Sequence, residues 1–184
     1  ETDVLVPAKI DSLPVYIEKS TSEAGVFTAN ENIEYVTFET GVTVPSSSYL
    51  FNKCTNLRGV YNLVSKSGGG AAFSGCSSLA FIDADLIATS FSSQYSQCKE
   101  LTTFSDIPRD VTGLNSAFYN CIKLKGDIYC NSQNISSAKS AFVGTVEKIN
   151  LHVPYPSLTY DTLTASELPE NVTLITYENR IAYL

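Results

Sequence analysis

The residues that could carry chemistry in this sequence are five cysteines, a single histidine and a pair of neighbouring aspartates. Cysteines can form disulfides or bind zinc, but zinc sites use closely paired cysteines or cysteines beside histidines. Four of these cysteines recur at intervals of 22 or 23 residues instead, at Cys54, Cys76, Cys98 and Cys121. Equivalent residues on adjacent strands lie about 5 Å apart, so a disulfide between copies is conceivable. Because Cys tolerates tight packing as a small apolar residue, we expect four reduced thiols in a core.

The other candidates for chemistry are His152, Asp83 and Asp85, and the run Gly68-Gly69-Gly70. One histidine gives nucleophilic or acid–base catalysis a single candidate, so we expect no catalytic residue, metal or cofactor. The two aspartates have strand spacing and could share one face, but calcium requires six to eight oxygen ligands, which favours a solvated acidic face. The glycine run lacks the Lys and Ser/Thr of a phosphate-binding loop and predicts a turn. Cys130 is either a core residue or an exposed thiol.

An internal repeat contains the four spaced cysteines. Each follows an aromatic residue by three positions and precedes a Leu by three, as in Phe51-Cys54-Leu57 and Phe118-Cys121-Leu124. Weaker copies begin at Phe27 and Phe142, where Asn30 and Thr145 replace the cysteine. The aromatic anchors are separated by 22 to 24 residues and lie at positions 27, 51, 73, 95, 118 and 142. A repeat of this length predicts stacked structural units, each too small to bury its apolar side alone.

The residues around each anchor predict the shape of one unit. An apolar residue usually follows the Leu by three positions, as at Val60 and Ile82, which is typical of a short strand with one face inward. Small and polar residues precede each anchor and predict turns or single helical turns. We therefore expect an α/β repeat solenoid of about six coils, a right-handed coil with a parallel sheet on one face and short helical turns on the other. The stacked anchors, Phe51, Phe73, Tyr95, Phe118 and Phe142, should form an interior ladder.

The core of the repeat resembles a known family. Residues 72–79 and 117–124 follow the pattern A-F-x-x-C-x-x-L of the BspA-like leucine-rich repeat family of bacterial cell-surface proteins, although Tyr95 replaces the Phe in one copy. The resemblance covers residues 21–154. It implies a leucine-rich-repeat fold and a role in adhesion or protein recognition. It also implies a secreted or cell-surface location, with a lipid anchor before processing as one option. It implies no catalytic residues.

Composition and charge exclude other classes of protein. The 184 residues are 43% hydrophobic and only 17% charged, so the chain should fold as a single domain. A net charge of −7 argues against nucleic acid as a partner. No apolar run approaches the roughly 20 residues of a membrane span. We expect residues 1–20 to cap the first coil, residues 21–154 to form the solenoid, and residues 155–184 to form a C-terminal cap or hairpin.

Successive side chains of a strand point alternately inward and outward, so the inward apolar positions of the predicted strands indicate which side chains face outward. Tyr35, Tyr61, Phe81 and Asp83 should share the outer face of the sheet, and we predict that they bind a ligand. The leading hypothesis is a non-enzymatic surface module that binds a protein. A carbohydrate-binding or nutrient-capture role, with the aromatics as stacking platforms, and a structural spacer are the alternatives.

Overall fold

The computed structural model describes residues 2–10, 13–15, 17 and 24–178, which wind into a parallel β-solenoid of about six coils with little helix. Each coil contributes one strand to the same side, because its inward apolar residues must pack on the coils before and after it. In chain order the elements are β1 (Asp3–Val6), β2 (Lys9–Ile10), β3 (Leu13–Pro14), β4 (Tyr35–Phe38), β5 (Gly59–Ser65), β6 (Phe81–Leu86), β7 (Asp106–Ile107), β8 (Gly126–Cys130), β9 (Ile149–Tyr155), α1 (Leu158–Ala165) and β10 (Val172–Glu178).

The strands form two parallel sheets. One has the order β1-β4-β5-β6 and the other β10-β9-β8-β7, and β2 and β3 form a small antiparallel pair. Neighbouring coils pair at equivalent positions, so Val36 lies beside Val60, and Val60 beside Ile82. The predicted parallel solenoid is therefore confirmed, with its sheet divided into two halves between β6 and β7.

The predicted aromatic ladder runs through the core. The six anchor rings stack nearly face to face, with centroids 5.0, 5.4, 5.5, 5.6 and 5.2 Å apart from the first pair to the last. All six side chains are buried: Phe27, Phe51, Phe73, Tyr95, Phe118 and Phe142. Offset stacking of this kind adds to the free energy gained from apolar burial, so the ladder holds successive coils in register.

The four repeat cysteines form a second ladder beside the rings. Each is a buried free thiol that donates a hydrogen bond to the backbone carbonyl of the aromatic residue in the preceding coil. The Cys54 thiol donates to the Phe27 carbonyl over 2.8 Å, for example, and the Cys121 thiol to that of Tyr95 over 3.0 Å. Burial raises the pKa of Cys121 to about 12 and that of Cys130, which is also buried, to about 11. The thiols thus fill the core and also join its coils.

The segments opposite the sheets are successions of tight turns. In the five coils from Phe51 to Phe142, one residue two positions before the aromatic anchor and one two positions after it have left-handed backbone dihedrals. Around Phe73 these are Ala71 and Gly75, with φ of 57° and 81°, and around Phe118 they are Ser116 and Asn120, with φ of 54° and 56°. Around Phe27 only the later position, Ala29, has such dihedrals. Left-handed residues interrupt any helix, so the turns stay shorter than the helical turns expected from sequence.

The two ends of the array differ from its middle. β1 pairs in parallel with β4 and so lies within the first sheet, while β10 pairs in parallel with β9. The helix α1, which we did not predict from sequence, begins after the N-cap Ser157, whose hydroxyl accepts from the Tyr160 N–H. At Thr145, where a cysteine is expected, the hydroxyl donates to the Phe142 carbonyl of its own coil over 2.8 Å. The second strand of the predicted terminal hairpin lies outside the described residues.

Candidate functional site

A row of three aromatic side chains crosses the outer face of the first sheet. Tyr35 of β4, Tyr61 of β5 and Phe81 of β6 lie next to one another, with ring centroids 6.4 Å apart for the first pair and 5.1 Å for the second. The rings point outward because their strand neighbours, such as Val36 and Val60, are fully buried. Phe81 ends the row and is 49% exposed. The structure therefore brings together three of the four residues that alternation placed on this face.

Gly59 allows the row to form. An added Cβ at this residue would lie 3.0 Å from Cδ1 of Tyr35 and 3.4 Å from Cε2 of Tyr61. The two tyrosines therefore close over the backbone of β5, and any larger residue at position 59 would push the Tyr35 ring aside. The glycine sets the spacing between the aromatic rings of the row.

Asp83, the fourth predicted site residue, supports the backbone beside the row. Its carboxylate accepts the Asn62 N–H over 3.3 Å, and the Asn62 amide in turn donates to the Phe38 carbonyl over 3.3 Å. Asn62 has a φ of 57° and lies where the pairing of β5 and β6 shifts register. Asp83 faces outward on the same strand as Phe81, but its contact is with a β-bulge and not with the aromatic rings.

A shallow groove borders the aromatic row. Its volume is about 510 Å³, and its lining includes Arg58 and Glu100 as well as the three rings. Arg58 pairs with Glu34 over 3.2 Å, and both side chains are partly exposed. Exposed ion pairs contribute little stability, so these charges remain available to a partner in solution.

The sheet opens next to the aromatic row. No backbone hydrogen bond among the described residues joins β6 to residues 101–107 of the following coil. On the turn side the same two coils remain connected, since the Phe73 N–H donates to the Gln94 carbonyl over 3.0 Å and the Gly75 N–H to that of Ser96 over 2.8 Å. The coils are therefore joined at the turns and separated at the strands.

Phe104 explains why the strands separate here. It occupies the inward position that holds Val60 and Ile82 in the preceding coils. Its ring packs against the core aromatics Tyr95 and Phe118, with centroids 5.0 and 5.1 Å away. In a closely packed core, a phenyl ring needs more space between the backbone and the core than a branched aliphatic side chain does. The backbone at residue 104 therefore lies too far from β6 to pair with it.

The separation of the strands leaves a cleft of about 580 Å³. Its inner wall is apolar and includes Ile82, Ala84 and Phe104. Its outer rim includes three aspartates from three strands, Asp85 of β6, Asp106 of β7 and Asp127 of β8. Phe81 lines both this cleft and the groove, so the aromatic row ends at the mouth of the cleft. Thr103 and Ser105, which alternation also places outward, line the cleft as well.

A polar cluster on the second sheet holds Asp127 in place. His152 Nε2 lies 2.8 Å from Asp127 Oδ1, the Asn150 amide donates to the same oxygen over 3.1 Å, and the His152 ring stacks on Tyr129 with centroids 4.3 Å apart. The hydrogen bond with His152 is the main cause that lowers the pKa of Asp127. The sequence predicted no catalytic role for His152 and did not indicate its contact with Asp127. The pairing of Asp127 with Asn150 across β8 and β9 brings the cluster together, and this register is a property of the assembled sheet.

Comparison with known proteins supports the fold. The chain is similar to the crystal structure of a leucine-rich cell-surface protein from Faecalibacterium prausnitzii A2-165, solved at 1.80 Å, with a TM-score of 0.61 and 23% sequence identity. The match covers 96% of this chain and 44% of that protein, so the chain spans less than half the length of its structural neighbour. No protein-family model matches the sequence, and neither does any curated protein. The described helix is too short to cross a membrane. The chain thus has the coil fold of leucine-rich-repeat proteins.

Proposed function

We propose that this chain is a non-enzymatic recognition module of a cell-surface protein and that it binds a protein partner through the outer face of its first sheet. The aromatic row of Tyr35, Tyr61 and Phe81 carries the proposal. Large aromatics on a surface have no core to fill, and such residues contribute strongly to protein interfaces. The likeness to a leucine-rich cell-surface protein supports the surface location.

The geometry of the row favours a protein over a glycan. Sugar rings stack on separate aromatic platforms, whereas Tyr35, Tyr61 and Phe81 form one contiguous row, tilted by 32° and 33° with centroids 6.4 and 5.1 Å apart. This apolar row and the adjacent charges of Arg58, Glu34 and Glu100 match the mixed apolar and polar surface of a protein partner. The alternative functions, a carbohydrate-binding accessory and a structural spacer, are distinguished from protein binding by the experiment described next.

The test compares two triple variants on a panel of purified extracellular proteins and on a glycan array. The first variant, Y35S/Y61S/F81S, removes the row. The control replaces exposed apolar residues outside the sheets and is I122S/V143S/V146S. We expect the natural chain to bind on the protein panel and the row variant to lose at least about 30-fold in affinity, since one interface hot spot is worth about 2 kcal/mol. The control should bind like the natural chain.

Two results would contradict the proposal. If a folded row variant keeps its affinity for a protein partner, the binding surface lies elsewhere. If the natural chain binds only glycans, and the row variant loses that binding, the carbohydrate-binding alternative is correct. Circular dichroism of each variant checks that the solenoid is intact.

A further inference from the structure

The cleft between β6 and the following coil presents an open strand edge. The backbone N–H groups of residues 102–105 have no hydrogen-bond partner among the described residues, and the carbonyls of β6 accept nothing from residues 101–107 in that part of the chain. Elsewhere in the array such groups pair from coil to coil, as where the Tyr129 N–H donates to the Ser105 carbonyl over 2.8 Å. An open edge of this kind can pair with an extended peptide.

The side chains around the cleft define the chemistry of such a peptide. Alternation along β6 places Ile82 and Ala84 toward the interior and Phe81 and Asp85 outward. A strand paired with this edge would alternate in the same way. Its inward residues would meet an apolar wall that includes Phe104, while its outward residues would meet the acidic rim.

No Lys or Arg lines the acidic rim among the described residues, although His152 contacts Asp127 there. Asp85, Asp106 and Asp127 line the cleft. The Asp85 carboxylate makes no hydrogen bond or ion pair with another described residue, whereas Asp106 accepts from the Asn131 amide over 3.4 Å. Phe81 lines the cleft and is 49% exposed, so its ring is accessible to a cation.

From the open edge, the apolar wall and the acidic rim, we infer that the cleft binds an extended peptide segment of the partner protein in which apolar residues alternate with Arg or Lys. The segment pairs with the edge of β6, its apolar side chains point toward Phe104, and its basic side chains meet Asp85, Asp106 and Asp127. This inference rests on the proposed function, because it specifies the chemistry of the protein partner.

The test uses three fluorescent capped hexapeptides and measures their affinity by anisotropy. The first has the sequence Arg-Val-Arg-Val-Arg-Val, the second replaces each Arg by Gln, and the third has the block order Arg-Arg-Arg-Val-Val-Val. We expect the alternating Arg peptide to bind most tightly and its affinity to fall as salt rises. The D85N/D106N variant should weaken it by roughly tenfold, as expected for the loss of two partly exposed charge pairs. The control E147Q/E167Q changes the net charge equally but lies outside the cleft, and it should have no effect.

Amide hydrogen exchange locates the bound peptide. Binding should protect the amides of β6, the strand whose edge pairs with the peptide. Four results would overturn the inference: no binding, equal affinity for the block peptide, unchanged affinity in D85N/D106N, or protection at another strand, such as β10. A concentration-dependent dimer that is lost in D85N/D106N would also overturn it and would assign the cleft to a second copy of the chain.

A further variant separates this inference from the proposed function. Y35S/Y61S alters the aromatic row but leaves Phe81 and all three aspartates of the cleft in place. It should bind the hexapeptide as the natural chain does and should still lose affinity for a protein partner on the panel. If the hexapeptide fails to bind while the row variants lose their partner, the inference about the cleft is wrong and the proposed function stands. If the row variants keep their partner, the proposed function is wrong whatever the peptide does.

Discussion

Replacing Phe73 by Ala should be among the most destabilising single changes in the solenoid. Its side chain is fully buried and lies between Phe51 and Tyr95, with ring centroids 5.4 and 5.5 Å away. Truncation of a buried Phe to Ala costs about 3 to 5 kcal/mol, and the two lost stacking contacts place this site toward the upper end of that range. The backbone hydrogen bonds on both sides of the ring limit how far the coils can collapse into the void. We therefore expect a loss of about 4 kcal/mol in the free energy of unfolding.

Urea denaturation followed by far-UV circular dichroism measures this loss. With an m-value of about 2 kcal/mol/M, a loss of about 4 kcal/mol lowers the urea midpoint by about 2 M. Phe73→Leu retains most of the side-chain volume and should lose only about 1 to 2 kcal/mol. Phe81→Ala is the matched control for the same chemical change at a surface ring, and we expect it to cost less than about 1 kcal/mol.

The order of the urea midpoints of these three variants tests whether the aromatic ladder stabilises the solenoid. If Phe73→Ala shifts the midpoint no further than Phe81→Ala, the aromatic ladder does not hold the coils together. A change in the slope of the transition for Phe73→Ala would instead indicate that the coils on either side unfold separately, as a one-dimensional array allows.

Two further predictions concern the buried thiols and the opening in the sheet. An unfolded thiol loses its proton near pH 8.5, whereas burial raises the pKa of Cys121 to about 12 and that of Cys130 to about 11. The folded state therefore binds more protons above pH 8.5, so the urea midpoint should be nearly constant from about pH 6 to 8 and fall as pH rises toward 11. The fall should be less steep in Cys121→Ala, and a flat profile above pH 8.5 would contradict this prediction. In native hydrogen exchange the amides of residues 102–105 should exchange at least about tenfold faster than those of β8, and equal protection would mean that the sheet is continuous.

The repeat made most of the fold predictable from sequence. Residue types that recur every 22 or 23 positions occupy equivalent places in successive coils, which stack on one another. The core positions of Phe73, Cys76 and their equivalents were therefore predictable from the spacing alone. Alternation in the strands likewise placed Tyr35 and Tyr61 outward, because strand periodicity is local.

Features that depend on packing between coils could not be predicted in this way. Phe104 satisfies the apolar pattern as well as Ile82 does. The sheet opens because the Phe104 ring packs against Tyr95 and Phe118, and this packing is not visible in the sequence. The contact of His152 with Asp127 depends on the register of two strands that are far apart in sequence. The cleft and its acidic rim therefore emerge only when the coils are assembled.

The hydroxyl of Thr145 changes how its coil is joined to the neighbouring coils. In a regular coil the carbonyl of the aromatic anchor accepts one bond from its own Cys N–H and a second from the thiol of the next coil, as the Phe51 carbonyl does from Cys54 and Cys76. At Phe142 the same chain segment supplies both donors, since the N–H and the hydroxyl of Thr145 bind that carbonyl over 3.1 and 2.8 Å. The Asn171 amide then donates to the Thr145 hydroxyl over 3.1 Å and joins the residue before β10 to this coil. The change from thiol to hydroxyl at the repeat position thus redirects a side-chain hydrogen bond from the preceding coil to its own coil, and the next coil is joined through an amide in place of a thiol.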